Sequence, residues 1–303
     1  VRLKSFQRLA IWTTATTYLL ILVGGLVRAS GAGLGCPDWP RCFGSWIPPA
    51  SAANLPPQFD PSQFNPTLMW TEYLNRLLGV TVGFLILATA VSAWRHHRDE
   101  PKILWTTIAA FLLVGFEGWL GGRVVAHELA AWIVTAHLIV AIIIVQLLLY
   151  ATFMAGATGA AGATGATGAT GGTGAIAGLI GLTLLQSGVG TQVRGHVDGA
   201  LDSGVGRDAA LATVGWLDYL HRDLAFGVLL GAAGLTLWLL TRRSPLRRWS
   251  FVVLALALAQ VALGALMAYV SLVPAAQVGH LTIASLLLGA ETVMWLLSRR
   301  QSV

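Results

Sequence analysis

What most limits how this chain can fold is a series of apolar blocks, each about 20 residues long, separated by polar connections. Eight blocks run over residues 9–28, 70–93, 103–122, 131–152, 175–194, 217–240, 249–270 and 276–297. A helix of that length crosses a hydrocarbon core of about 30 Å. Inside lipid every backbone amide needs a partner within its own segment or closed sheet, so each block is predicted to be a helix. The fold class expected is therefore an all-α membrane protein with eight transmembrane helices. Composition agrees. Only 11% of residues are charged, against about 25% in a soluble domain, too few to coat a water-facing surface. The net charge of +6 does not indicate a nucleic-acid surface, because the basic residues sit in the connections between blocks.

Those basic residues set the expected orientation. Arg2, Lys4, Arg8, Arg95, Arg98, Lys102, Arg242, Arg243, Arg247, Arg248, Arg299 and Arg300 mark one set of block ends, and Arg28, Arg41, Arg123, Arg194 and Arg207 the other. The excess predicts cytoplasmic termini, with the long connections 29–69 and 195–216 on the outer side. The basic opening residues 1–8 read as the flank of a retained first span, since no small-residue cleavage site closes the block. His96 and His97 fall in a cytoplasmic turn and are expected to be solvated. So are His127 and His196 in outer connections.

From 155 to 175 the chain uses only Gly, Ala and Thr, a low-complexity stretch expected to be a flexible cytoplasmic linker. It divides the chain into a four-span half at 1–154 and another at 176–303. The halves resemble each other. Glu72-Tyr73-Leu74-Asn75-Arg76 matches Asp218-Tyr219-Leu220-His221-Arg222. His137 before Leu138 matches His280 before Leu281. Gly24 to Arg28 at the end of the first block matches Gly188 to Arg194 at the end of the fifth. A parallel repeat of two pseudo-symmetric four-helix bundles is the expected architecture.

Ionisable groups inside spans are costly and mark function or pairing. His221 and His280 lie at matching outer positions, and two imidazoles from facing helices can bind haem iron from both sides. The first half offers His137, but Asn75 stands where His221 stands in the second. Asn is a poor haem ligand, so that half would leave one iron face open. Glu72, one turn before Asn75, could serve in proton transfer or simply pair with Arg76. Asp218 and Arg222 allow the same pair. Arg76 and Arg222 could instead hold haem propionates, as could Arg28, Arg123 and Arg194. Cys36 and Cys42 in the outer loop could form a structural or a redox-active disulfide. Glu117 and Glu291 lie inside spans and need partners that the sequence does not identify.

Taken together, GGLVRASGAGLGCPDWPRC after the first block, EYLNR, AHL, DYLHR and VGHLT resemble the haem A synthase family, in order and over nearly the whole chain outside 155–175. The resemblance implies a membrane oxidoreductase that converts haem O to haem A for terminal oxidase biogenesis. It implies a haem b on His221 and His280 and the substrate haem in the first half, with His137 as ligand. It also implies Glu72 as the central catalytic residue, and Cys36 and Cys42 as an outer-loop pair. A bacterial cytoplasmic membrane location follows, with a haem O synthase and a terminal oxidase as natural neighbours. Asn75 departs from the pattern, since many members carry histidine there. The alternatives are a bis-histidine electron-transfer cytochrome and a haem transporter or chaperone.

Overall fold

The computed structural model describes residues 5–158 and 172–300. Eight long helices account for most of them: α1 (Ser5–Ala29), α2 (Pro66–His96), α3 (Pro101–Ala126), α4 (Ala131–Thr158), α5 (Thr173–Asp202), α6 (Trp216–Thr241), α7 (Arg247–Tyr269) and α8 (Pro274–Arg300). All eight are long and apolar enough to span a bilayer, and among the described residues there is no strand beyond an isolated Cys42–Ser45 bridge. This is an all-helical, multi-pass membrane protein. Large apolar side chains face outward along the spans, among them Leu22, Phe84, Leu112, Leu230 and Phe251, as a lipid-facing surface requires.

Local chemistry starts several helices where the blocks predict. Asn65 caps α2 by accepting from the Leu68 amide at 3.2 Å. Pro66 and Pro101 occupy first-turn positions, where a missing N–H costs nothing. Two boundaries differ from the sequence expectation. The Gly/Ala/Thr stretch is helical at both margins, up to Thr158 and again from Thr173; the remainder of the expected linker lies outside the described residues, as do Arg2 and Lys4 of the topology reading. And α5 continues to Asp202, well past the predicted end of its block. Its extension is held by apolar packing of Val193 and Val197 against Ala210, Val214 and Leu272.

Within the first four helices, neighbours pack in a ring, α1 on α2, α2 on α3, α3 on α4 and α4 back on α1. The last four repeat the arrangement, with α5 on α6, α6 on α7, α7 on α8 and α8 on α5. Helices α2 and α4 are therefore diagonal to each other, as are α6 and α8. The halves meet through α1 on α8, α4 on α5 and α4 on α8. Helix α8 is the central element, with 56% of its apolar window inside the molecule against 39% or less for every other span.

Candidate functional site

His221 lies in the second turn of α6 and His280 in the second turn of α8, so the ring arrangement places them on diagonal helices. Their imidazole centroids are 6.3 Å apart with planes inclined at 65°. Two imidazoles sharing one metal through bonds of about 2 Å, with ring centres about 1 Å behind each nitrogen, keep their centroids about 6 Å apart. The pair fits a shared axial metal such as haem iron. Two further observations agree. The Nδ1 atom of His280 is buried without a hydrogen-bond partner. At Gly190 of α5 a Cβ would come within 2.7 Å of His221 Cε1, so the imidazole occupies space that only glycine leaves. Gln186 of α5, which the sequence reading did not single out, brings its Nε2 to 3.3 Å from His221 Nε2. Among the described residues there is no cluster of three or more His, Cys, Asp or Glu that could hold a bare metal ion.

The first half differs at each position. Asn75 stands on α2 with its Oδ1 buried and unpartnered. His137 of α4 is half exposed, and its Nδ1 lies against the Glu117 carboxylate of α3. Glu117 is 8% exposed, so the partner it required is His137. The sequence held a signal for this pair: Glu117 stands 20 residues before His137, as Gln260 stands before His280.

Beside this half the loop between α1 and α2 closes into a compact cluster. Cys36 and Cys42 form a disulfide, and both are buried with Phe43 and Met69. Gly35 sits where a Cβ would be 2.4 Å from the Leu68 carbonyl, so only glycine lets the loop lie this close to α2. The ring of Trp39 lies against Gly122 of α3, next to Gly121, which faces His137. Glu72 ties the loop down. Its Oε2 accepts from the Cys36 amide at 2.7 Å, and its Oε1 pairs with Arg76 Nη2 at 2.5 Å. Arg76 in turn donates to the carbonyls of Cys36, Asp38 and Arg41. Both Glu72 oxygens are thus engaged, and Arg76 is taken up by the loop rather than left free for a propionate.

The corresponding pair in the second half also forms, with Arg222 at 2.6 Å from Asp218 and donating to Tyr269 Oη at 3.0 Å. Arg28 and Arg194 both pair with Asp198, at 2.9 and 2.6 Å, and Arg123 lies against His127. His96, His127 and His196 are exposed. His97 is not, contrary to expectation: it is 6% exposed, packs on Phe6 with ring centroids 4.7 Å apart and meets Glu100 Oε1 at 2.7 Å. The turn folds it back under α1 because an aromatic surface and a carboxylate are both within reach there. Glu291, 0% exposed, is joined to Thr183 of α5 at 2.9 Å.

The family model for cytochrome oxidase assembly proteins matches residues 7–292. The chain belongs to this family. Its curated relatives include haem A synthases from several bacteria. A heme A synthase from Shewanella oneidensis is 35% identical over 143 residues, 45% of this chain and 42% of that protein. One from Geobacillus kaustophilus is 33% identical over 124 residues, covering 41% of this chain and 34% of the relative. One from Shouchella clausii is 29% identical over 135 residues, covering 44% and 40%. The chain thus spans 34% to 42% of the length of these three relatives.

Proposed function

We propose that the chain is a haem A synthase, oxidising the methyl group of haem O to the formyl group of haem A by two successive hydroxylations, each giving up two electrons to an external oxidant, after which the resulting hydrate loses water. The observation that carries this reading is the inequality of the two halves: facing imidazoles on α6 and α8, but one imidazole and an amide at the matching positions of α4 and α2. A closed pair suits electron transfer, and an iron with one open face suits chemistry. The first half (1–154) is the substrate half and the second (176–303) the cofactor half.

His221 and His280 hold haem b, which supplies electron transfer when bound. Arg222, at the outer end of α6 and 31% exposed in its side chain, is placed for a propionate once it shares its charge with Asp218. His137 orients the substrate haem, and Asn75 keeps the opposite side free of a second imidazole. Glu72, one turn before Asn75, keeps a carboxylate beside the substrate half and assists proton transfer or stabilises positive charge there. Arg76 serves the same site by fixing the disulfide loop over it. The membrane is the bacterial cytoplasmic membrane with both termini on the cytoplasmic side, and the protein works between a haem O synthase and terminal oxidase assembly.

One observation favours a second reading. Glu72 is fully engaged by Arg76 and the Cys36 amide, as in a structural tie, which suits an electron-transfer cytochrome that performs no oxidation. The test is haem A formation in cells that make haem O, with Glu72→Gln alongside and its thermal unfolding measured. Haem A from the wild type, reduced in a variant that remains folded, supports the synthase and the role of Glu72. Haem O recovered unchanged from the wild type supports the cytochrome.

A further inference from the structure

The contact between Glu117 and His137 has no counterpart of the same chemistry in the second half. The two positions are otherwise closely matched. Gly121 and Gly264 each stand 16 residues before their histidine, and a Cβ on either would lie 3.8 or 3.7 Å from the histidine's Cε1. So α3 meets α4 beside His137 as α7 meets α8 beside His280. At the position one turn earlier on that face, α3 carries Glu117 and α7 carries Gln260. Each is largely buried, at 8% and 9% exposure. Yet Nδ1 of His137 lies against a carboxylate oxygen, whereas no carboxylate meets His280, which Gln260 approaches through its backbone.

An imidazole presents one nitrogen to a metal and the other to its surroundings, and the second contact sets the tautomer, the ring orientation and the basicity of the ligand. With Nδ1 turned to Glu117, the nitrogen left for an iron is Nε2. A carboxylate behind the ring adds electron density to the metal side more strongly than an amide does.

Resting on the proposed function above, we propose that Glu117 is a positioning residue of the substrate half: it fixes His137 by Nδ1, directs Nε2 to the substrate iron and makes this imidazole a stronger donor than His280. One sequence then tunes two haem positions differently, with a carboxylate behind one histidine and none behind its counterpart. The donor-rich site is the half with one imidazole and an amide, where electron density on a bound iron would favour oxidation. The second-half site, with no carboxylate behind His280, keeps a weaker donor, as a group that must release electrons as well as accept them requires.

The test uses the full chain, purified in detergent and loaded with haem O, comparing wild type with Glu117→Gln, Glu117→Asp, Glu117→Leu, Gln260→Glu and His137→Ala. The readouts are haem O affinity, the iron–histidine stretching frequency and the midpoint potential of each haem. The expected result is a loss of roughly 10- to 100-fold in haem O affinity in Glu117→Leu. Glu117→Gln should shift the stretch down and the first-half potential up, and Glu117→Asp should restore both in part. Gln260→Glu should lower the second-half potential and leave the first unchanged. Should a Glu117 variant fail to fold, Gln260→Glu still reads the same effect in the other half, and no shift there would overturn the inference. Identical stretch, potential and affinity in wild type and Glu117→Gln, with haem O bound through His137, would also overturn it. If wild type and His137→Ala bind haem O equally, the assignment of the substrate to the first half is wrong, and the inference falls with it.

Discussion

At the scale of single residues, the N-terminal end of α2 shows how a group singled out for chemistry also holds structure. Glu72 and Arg76 have side chains only 5% and 14% exposed, and together they fix four backbone groups of the loop between Cys36 and Arg41. Removing one partner of a buried pair leaves the other uncompensated, at a cost of about 3–5 kcal/mol. Glu72→Ala is therefore expected to lower the unfolding midpoint in detergent clearly, and Glu72→Gln somewhat less, because the amide still accepts from the Cys36 N–H although Arg76 loses its anionic partner. A midpoint equal to wild type in Glu72→Ala would show that the tie contributes little. The candidate residues of both halves were legible in the sequence because ionisable groups inside apolar blocks stand out. Their partners were not. Gln186 beside His221 and Glu117 beside His137 are separated from those histidines by 35 and 20 residues, and only helix packing brings them together. His97 was misjudged for the same reason: its burial depends on Phe6 and Glu100 rather than on its own neighbours in sequence.

At the scale of helices, the eight spans were legible because a bilayer demands one apolar block per helix, and the block centres needed no further information. The ends carried less signal. The extension of α5 through Gly195, Asp198 and Gly199 reads as a polar, glycine-rich connection, yet it is helical because Arg28 and Arg194 converge on Asp198 and two valines pack inward. Glycines also report how closely elements approach. Gly190→Ala on α5 places a Cβ 2.7 Å from the His221 ring and should displace that imidazole, reducing haem content of the second half several-fold. Gly24→Ala, at the matching position of α1, meets nothing within 4 Å and should leave haem content unchanged. Pigment absorbance per protein distinguishes the two, and equal loss in both would show that the helix backbone, not the imidazole, requires the glycine.

At the scale of the whole molecule, α8 connects the halves and carries His280, so contacts far from the site bear on it. Gly289 is the closest of these: a Cβ there would lie 2.0 Å from the hydroxyl oxygen of Tyr18 on α1. Gly289→Ala is expected to cost about 1–3 kcal/mol as an overpacking change, and adding Tyr18→Phe should recover part of it. The thermal unfolding midpoints of the single and double variants check this, and an unrecovered double variant would place the strain elsewhere. A second bridge runs from Gln192 on α5 to Thr135 on α4 at 2.6 Å, two residues before His137. The division of labour between these halves is the central claim, and one measurement addresses it most directly. The protein would be purified from cells that make haem O, its pigments extracted without acid cleavage, and each haem identified by mass in wild type, His137→Ala and His221→Ala. The account predicts haem A and haem b in the wild type, loss of haem A in His137→Ala with haem b retained, and loss of haem b in His221→Ala. Haem b alone in the wild type, with haem O present in the same cells, would contradict it.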